Sequence, residues 1–394
     1  GWYSDTSVKH VMRKCLLFSF LLFSCLLKAQ PDHVKADTAA ALQKQGIVRR
    51  VLAYFEQSNK EKDREKFDFS IIVGPHYDTD TKLGLGLIAA GLYYSNAADS
   101  LMPPSNISLY GDVSTTGFYM IGVGGVHILP NRRYRMEYDA SFYSFPSKFW
   151  GIGYSNGNNS NNESTMNRFQ VNAEAKFFFR LSNCLYVGPA FACRFVNARK
   201  ITRPELLEGE PSRTANAGMG VVFALGTGDV MTAPKHGCYV HLSEMLRVSN
   251  TGGARKFWTT EFKASTYQPL WRDCTLALQT LGTLQFGRLG WTDMAMLGSS
   301  HSVRGFYRGH YRDKSKLEMQ AELRQHIWHR NGAVAWVGAG TVFSQFADLR
   351  WRRVLPNFGL GYRWEFKKNM NIRLDYGFGK SGQSGFLFNV NEAF

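Results

Sequence analysis

Residues 369–379 read NMNIRLDYGFG, and their side chains alternate in polarity from one end to the other. Apolar residues take every second position from Met370 to Phe378, while the positions between them hold asparagine, arginine, aspartate or glycine. Successive side chains of a β-strand point to opposite faces of the sheet. This stretch therefore predicts a strand with one apolar and one polar face.

The same alternation recurs in other long segments, among them residues 133–143, 316–325 and 356–366. A strand of a soluble sandwich also alternates, so the period alone does not identify the fold. These segments, however, are as long as the roughly 9–11 residues that a tilted membrane strand needs. Their polar faces carry both signs of charge and their apolar faces are rich in Tyr, Trp and Phe, which is typical of a transmembrane barrel.

Sixteen segments of this kind can be placed along the chain, an even number as in bacterial outer-membrane barrels. Their predicted starts are near Asp68, Lys82, Asn106, Gly117, Arg133, Arg168, Leu185, Thr214, Gly237, Phe257, Thr275, Lys316, Ala333, Asn357, Asn369 and Gly385. The sequence thus predicts an all-β fold, a transmembrane antiparallel β-barrel of about sixteen strands over residues 67–394.

The connections between these segments differ in length in a regular way. The long, polar ones are the fifth, seventh, eleventh and thirteenth, at residues 147–167, 198–213, 288–315 and 344–356. The even connections are mostly tight, although residues 97–105 and 228–236 form longer ones. Short turns at one end and long loops at the other are typical of outer-membrane barrels, whose long loops face outward.

The N-terminal residues have the features of an export signal. Met12, Arg13 and Lys14 form a positive region, and residues 15–27 form an apolar run too short to span a bilayer. We expect residues 1–30 to comprise upstream residues and a secretory signal peptide, with a lipoprotein signal at Cys25 as an alternative. Residues 31–66 contain apolar side chains at helical spacing, which predicts a short periplasmic helical lead-in or, alternatively, a plug or membrane-surface helix.

Several other classes of function are disfavoured. The formal net charge is +16, but the basic residues are spread along the chain without a nucleic-acid-binding motif, so no nucleic-acid partner is predicted. Cys184, Cys193, Cys238 and Cys274 lack the spacing of a zinc site. No HExxH motif occurs in the sequence, and the one GxSxG match, GYSNG at residues 153–157, falls in a Gly- and Asn-rich loop and not in the strand-to-helix turn that this motif requires. We therefore expect no enzymatic activity, no cofactor and no metal.

The longest predicted outer loop contains Ser299–Lys314, which reads SSHSVRGFYRGHYRDK. A loop of this length is costly to order unless it packs against the rest of the protein. Folded back into a polar lumen, Arg304 can pair with a carboxylate of the wall, Gly305 permits close backbone approach, and Phe306 can wedge between interior groups. We predict that Val303, Arg304, Gly305 and Phe306 anchor the loop inside the barrel. The alternative is that Arg304 is a solvated loop residue.

A VRGF tetrad in this position resembles the BamA/TamA-like outer-membrane protein superfamily. The resemblance extends to Trp336, Gly338 and Gly340 in WVGAG, to RLDYG at residues 373–377 and to the final NEAF. It covers residues 67–394, most of the mature chain. It implies that the loop lies inside the barrel and that its arginine meets an acidic residue of the wall.

The acidic partner of Arg304 is left open by the sequence. Many members of the family have an acid at the position of Gly338, which is a glycine here. The partner must therefore come from elsewhere on the lumen face, where the candidates are Asp375, Glu365, Glu318 and Glu322. Among these we expect Asp375.

The end of the chain suggests a further signal. Phe386, Phe388 and Phe394 alternate with other residues in GFLFNVNEAF and are predicted to share one face of the last strand. A terminal aromatic residue on an amphipathic last strand resembles the signal by which outer-membrane barrels are recognised for insertion. We therefore predict that these three residues form a C-terminal insertion signal.

The resemblance implies a role in the insertion or translocation of proteins at the outer membrane. The expected partners are outer-membrane lipid and client outer-membrane proteins, and the seam between the first and last strands would open laterally. Residues 31–66 are too short for the periplasmic docking domains of insertases and secretion translocases. A passive pore for small solutes and a structural barrel subunit that docks a periplasmic protein or lipoprotein are therefore alternatives.

Overall fold

The computed structural model describes most of the chain from Phe67 onward. The described residues are 67–78, 80–96, 102, 104–228, 234–367, 370–390 and 392–394. The predicted signal peptide in residues 1–30 and the predicted helical lead-in in residues 31–66 lie outside them.

Sixteen antiparallel strands of the described chain close into one barrel, in which each strand pairs with the next strand of the wall along the chain and the last strand pairs with the first. The wall consists of β1 (Asp68–Asp78), β2 (Lys82–Tyr93), β3 (Ser105–Ser114), β4 (Tyr119–Ile128), β5 (Tyr134–Phe149), β6 (Ser164–Arg180), β7 (Leu185–Arg199), β8 (Arg213–Gly228), β9 (Gly237–Ser249), β10 (Arg255–Trp271), β11 (Cys274–Gly287), β14 (Ser315–Trp328), β15 (Asn331–Phe343), β16 (Leu355–Lys367), β17 (Met370–Gly379) and β18 (Ser384–Val390). Two short strands, β12 (Ala295–Met296) and β13 (Arg312–Asp313), pair with each other in the connection between β11 and β14. The all-β barrel prediction is confirmed.

The predicted strand starts agree with the structure to within two residues, with one exception. Strand β6 begins at Ser164, four residues before the predicted Arg168. The polar residues before Arg168 read as loop in the sequence. In the structure, however, Met166 is buried in a cluster with Phe149 and Trp291, and that packing extends the strand.

The two faces of the wall have the predicted polarity. On β17, Tyr376 and Phe378 are exposed on the outside of the barrel, whereas Arg373 and Asp375, which belong to the other half of the alternation, are completely buried on the lumen side. The apolar outer surface is suited to contact with lipid, while the polar side chains make their contacts inside the barrel. The charged half of the alternation thus faces the interior and supplies the site described below.

Helical structure in the described residues is limited to short segments. These are an α-helical turn at Tyr154–Gly157 and 3-10 turns at Pro130–Arg132, Ser160–Asn162, Pro204–Leu207, Phe346–Asp348, Trp351–Arg353 and Lys380–Gly382. No helix in this part of the chain has the length and apolar character needed to cross a membrane.

The seam between β1 and β18 is the least paired junction of the described barrel. These two strands are in register at a single pair of residues, Tyr77 and Phe388. By contrast, β17 and β18 pair continuously from Ile372 opposite Val390 to Phe378 opposite Ser384. Tyr77 and Phe386 also bring their rings together, with 5.6 Å between the centroids. Backbone hydrogen bonding across the seam is therefore far sparser than at its neighbours.

Candidate functional site

The connection between β11 and β14, residues 288–314, lies inside the barrel; we call it the lumen loop. On one side it reaches β8, where Thr292 shares a hydrogen bond of 2.7 Å with Thr214. On the other side it packs against β15 and β16, where Val342 and Leu355 are buried in one cluster with loop residues that include Phe306. The loop thus bridges opposite parts of the wall, because its polar and apolar side chains find partners on both sides.

Arg304, at the tip of this loop, is completely buried. Its two terminal nitrogens donate to different carboxylates, at 2.7 Å to Asp375 Oδ2 and at 2.5 Å to Glu322 Oε2. The guanidinium plane lies over the ring of Trp336, 3.7 Å from its centroid. Such a fork between two carboxylates and an aromatic face uses the planar geometry that distinguishes arginine from lysine.

The backbone of the loop tip lies directly against β17. A Cβ atom added at Gly305 would come within 2.9 Å of the Gly377 carbonyl group, and one added at Gly377 would come within 2.7 Å of the Arg304 carbonyl oxygen. Gly305 also has a φ of 101°, which side-chain-bearing residues rarely adopt. Next to it, Phe306 occupies the space that a side chain at Gly379 would fill. These glycines therefore create the flat surface on which the loop rests.

Asp375 and Glu322 belong to a closed circuit of alternating charges. We call it the arginine–carboxylate ring, and its members in order are Arg304, Glu322, Arg324, Glu392, Arg363 and Asp375. Successive nitrogen-to-oxygen distances are 2.5, 2.7, 3.8, 2.7, 2.6 and 2.7 Å. Every cation of the ring thus touches two anions, which offsets the cost of removing the charges from water.

The structure shows which of the four candidate acidic residues contact Arg304. Asp375 and Glu322 both contact it. Glu318 instead accepts the Gly298 N–H at 3.2 Å and the Lys316 ammonium at 3.1 Å.

Glu318 and Glu365 do not meet Arg304, although both were candidates. Glu318 stands four residues before Glu322 on β14, about 13 Å along the strand. Glu365 lies near the turn after β16 and lines a cavity together with Glu392. A lumen-facing position is therefore not sufficient for contact with Arg304, because the residue must also lie at the same height along the barrel as the loop tip.

The three residues of the WVGAG segment all lie around the loop tip. Trp336 stacks on Arg304, and a side chain at Gly340 would collide with Leu297 and Val303 of the loop. At Gly338, the space that a side chain would need is occupied by the amide of Asn357 from the paired strand β16.

Asn357 uses that space to bind the loop. Its side-chain amide donates to the Arg304 carbonyl oxygen at 3.2 Å. A neutral amide thus contacts the loop backbone beside Gly338, while the charge of the arginine is met by Asp375 and Glu322. Nothing in the sequence pattern identified Asn357, since the strand pairing brings it there.

Residues 392–394, which we call the tail segment, also enter the lumen. The carbonyl oxygen of Phe394 accepts a hydrogen bond from Arg324 at 2.7 Å, and its ring lies 6.4 Å from that of Tyr267 on β10. The Ala393 carbonyl oxygen contacts Nδ1 of His301 in the lumen loop at 2.8 Å. The lumen loop and the tail segment therefore meet inside the barrel.

This placement corrects one prediction about the C-terminal residues. Phe386 is exposed on the outer face of β18 and Phe388 stands opposite Tyr77 at the seam. Phe394 does not continue this face, because β18 ends at Val390 and the chain then turns inward. The predicted single apolar face that includes Phe394 is wrong, and its buried environment arises from Arg324 and Tyr267.

Other residues of the site were not singled out from the sequence. Arg363 joins Asp375 to Glu392, and Arg373 donates to the Ser300 carbonyl oxygen at 3.0 Å. Burial and the charge of Arg373 lower the pKa of His301, which favours the neutral ring. Strand alternation marks Arg363 and Arg373 as lumen-facing, but it cannot tell which loop atoms they reach.

The described residues contain no cluster of His, Cys, Asp or Glu able to hold a metal ion. Their four cysteines, Cys184, Cys193, Cys238 and Cys274, are free thiols. The ion pairs and hydrogen bonds of the site hold the lumen loop and the tail segment inside the barrel.

Comparison with solved structures finds the same barrel fold in other proteins. BamA from Haemophilus ducreyi lacking POTRA domains 1-3 is similar in fold, with a TM-score of 0.56 and 13% identity over 91% of this chain and 82% of that chain. CdiB from Acinetobacter baumannii gives a TM-score of 0.52 and 14% identity, covering 83% of this chain and 60% of that chain. For CdiB from Escherichia coli the values are 0.54, 12%, 86% and 69%.

No curated protein sequence matches the chain. The model of the Omp85 superfamily domain matches residues 127–394, which comprise β5 to β18, the lumen loop and the tail segment. With its closed barrel and its inward loop, the chain belongs to the Omp85 superfamily and is an integral outer-membrane β-barrel.

Proposed function

We propose that this barrel inserts or translocates proteins at the outer membrane by opening the seam between β1 and β18. The observation that carries the proposal is the register of that seam, where Tyr77 opposite Phe388 is the single pair among the described residues. Unpaired backbone groups in lipid are unfavourable, so both edges are ready to pair with another strand. A client strand could add to either edge.

The rest of the wall beside the seam is held rigid. The arginine–carboxylate ring joins the lumen loop to β14, β16 and β17, and the tail segment joins the end of β18 to Arg324 of β14. Movement at the seam can then occur while these strands stay in place. The lumen loop acts in this proposal as an internal brace and not as a catalytic element.

The partners follow from the same proposal. The exposed apolar outer face contacts outer-membrane lipid, and client outer-membrane proteins would use the strand edges. A periplasmic protein or lipoprotein is the third class of partner in this proposal.

Two strains test the proposal. Depletion of the protein should lower the level of at least one other envelope protein, measured by quantitative proteomics of outer membranes. In a depleted strain, a Tyr77→Cys, Phe388→Cys variant should restore that level when reduced and fail when oxidised, because paired residues on adjacent strands are close enough for a disulfide.

The matched control is Ile71→Cys, Ala89→Cys, which links β1 to β2 at a registered pair away from the seam. This oxidised control should remain active. An unchanged outer-membrane proteome on depletion, or full activity of the oxidised seam variant, would refute the role in insertion and translocation.

A passive pore is the second candidate, supported by cavities of about 330 and about 380 Å³ lined by lumen residues. In that case the lumen loop would restrict conduction.

A further inference from the structure

A cavity of about 330 Å³ lies against the part of the lumen wall formed by β7 to β11. Its volume is in the range of small-molecule pockets. Basic side chains from three strands and the lumen loop line it: Arg194 of β7, Arg247 of β9, Lys263 of β10 and Arg308 of the loop. They all face the interior of the barrel, so the cavity opens to the lumen and not to lipid.

These cations differ from those of the arginine–carboxylate ring because they are not paired. Among the described residues, none of Arg194, Arg247, Lys263 and Arg308 makes an ion pair through its side chain. Arg247 donates to the neutral Asn216 amide oxygen at 3.3 Å, and Nε of Arg194 is buried without an acceptor. Such groups have lost water without gaining an anion, which is unfavourable in a protein interior.

Arg168 of β6 adds a further cation to this side of the lumen. It is only 4% exposed, and its Nε and Nη2 atoms have no hydrogen-bond acceptor in the described residues. Arg194 and Arg308 are among the charges that act on it. Burial together with the positive charges of Arg168 and Arg308 also lowers the pKa of Arg312 in the lumen loop to about 9. The positive charges of these arginines therefore repel each other.

The carboxylates of the cavity do not neutralise this charge. Asp293 accepts a hydrogen bond from Asn216 and its second oxygen has no partner, while burial raises its pKa. Glu261 is the other acidic residue of the lining among the described residues. Since Lys316 is paired with Glu318, the remaining cations Arg194, Arg247, Lys263 and Arg308 still give the lining an excess of positive charge.

We propose that this cavity is a binding site for a small, water-soluble phosphorylated solute, held by Arg194, Arg247 and Lys263. A phosphoryl group brings about −1.5 to −2 charge and three acceptor oxygens, which suits cations that converge from several strands. A single carboxylate offers less charge and fewer acceptors. The site goes beyond the proposed function, since neither seam opening nor the brace requires it.

Calorimetric titration of the folded, detergent-solubilised full chain with sodium pyrophosphate tests the site. Saturable binding is expected at fixed ionic strength, and replacing pyrophosphate by sodium chloride of the same ionic strength should give no comparable signal. Lys263→Gln and Arg194→Gln should each weaken binding about tenfold, as loss of a charged hydrogen-bonding contact predicts. Lys263→Arg should retain it.

The matched control is Arg272→Gln, which removes the same charge from a side chain that is 96% exposed in a turn. It should bind like the unmodified protein, and heat-modifiable gel migration verifies that each variant is folded. The proposal is overturned if folded, unmodified protein does not bind pyrophosphate, or if Arg272→Gln weakens binding as much as Lys263→Gln. Saturable binding of hexaglutamate without binding of pyrophosphate would assign the cavity to an acidic peptide instead.

Discussion

Arg304 is a cation that has been taken out of water completely and given two carboxylates and an aromatic face in return. Removing a buried charge from its partners leaves the partners uncompensated, which typically destabilises a protein more than the intact ion pair stabilises it. Around Arg304 those partners are Asp375 and Glu322, and both also contact a second arginine. The loop tip is thus held by a network.

Replacing Arg304 with alanine should destabilise the folded barrel by about 3–5 kcal/mol, because Asp375 and Glu322 stay buried with less compensation. Arg304→Lys should destabilise the barrel by a smaller amount, because the positive charge remains but an ammonium group cannot contact both carboxylates as the guanidinium does. The temperature of the heat-modifiable gel transition measures both. Arg352→Ala, in an exposed outer loop, serves as the control and should leave the transition unchanged. Equal transitions for all four proteins would contradict a buried role of Arg304.

A charge exchange between Arg304 and Asp375 is not expected to restore stability. Glutamate at position 304 would face Glu322, and arginine at position 375 would face Arg363. The exchange therefore repairs one contact and breaks two.

Asp80, in the turn between β1 and β2, should make the stability of the folded barrel depend on pH. Its carboxylate accepts the backbone N–H of Arg308 at 3.1 Å, and burial together with Asp78 raises its pKa from 3.8 to about 7. The folded state therefore binds this proton more tightly than the unfolded state, so stability falls as pH rises from about 4 to about 7. The transition temperature should be lower at about pH 8 than at about pH 5.

Asp80→Asn should reduce that pH difference, whereas Asp273→Asn, at an exposed turn, should leave it as it is. A pH difference that is the same in the Asp80 variant and the unmodified protein would show that another group is responsible.

At the scale of elements, alternation predicts most of what the strands do. The segment NMNIRLDYGFG has Arg373 and Asp375 inside and Tyr376 and Phe378 outside, as its period indicates. Strand starts also follow, since turns interrupt the period. Alternation carries no information about which residue stands opposite which, and for that reason Asn357 and Arg363 could not be assigned to the loop tip.

The tail segment shows a different limit. Phe394 follows the alternation of β18 by residue number, yet the strand ends at Val390 and Glu392 turns inward to bind Arg363 and Asn371. Buried arginines on β14 and β16 attract it, and these are distant in sequence. The local alternation of side chains therefore could not predict that the tail segment enters the lumen.

Glu392→Gln should destabilise the barrel by about 1–3 kcal/mol, because the charge beside Arg363 and Arg324 is lost while the amide can still reach Asn371. The loss is smaller than for Arg304, since Arg363 keeps Asp375. Transition temperatures in the same gel assay measure it, with Glu208→Gln in an exposed outer loop as the control. A Glu392 variant as stable as the control would mean that the tail segment does not hold the ring.

At the scale of the whole molecule, the lumen has two different halves. The wall from β14 to β17 carries the balanced arginine–carboxylate ring, and the wall from β7 to β11 carries unpaired cations. The lumen loop lies between them and contacts both. The net charge of +16 is therefore partly located in the interior and not only on the surface.

This arrangement predicts how the barrel conducts ions. Deletion of residues 299–314 removes the loop tip and should raise single-channel conductance in planar bilayers, while the unmodified protein should conduct little. High conductance of the unmodified protein, or low conductance of both forms, would contradict an obstructing loop.

The lumen loop is held inside the barrel against β15, and a disulfide between the two would demonstrate this contact. A Cβ atom at Gly340 would lie 3.1 Å from Cγ2 of Val303. That is close to the separation of about 3 Å between Cβ and the opposite sulfur in a disulfide. Val303→Cys, Gly340→Cys should therefore cross-link once the end of Leu297 shifts, in a chain whose native cysteines are replaced.

The measurement is peptide mass spectrometry of intact outer membranes after mild oxidation, with Val303→Cys, Ser243→Cys, on the β9 wall, as the control pair. A 303–340 bridge without a 303–243 bridge is the predicted result. If no 303–340 bridge forms and a membrane-impermeant maleimide labels the Val303→Cys variant from outside the cell, the loop lies outside the barrel, which contradicts its placement in the lumen.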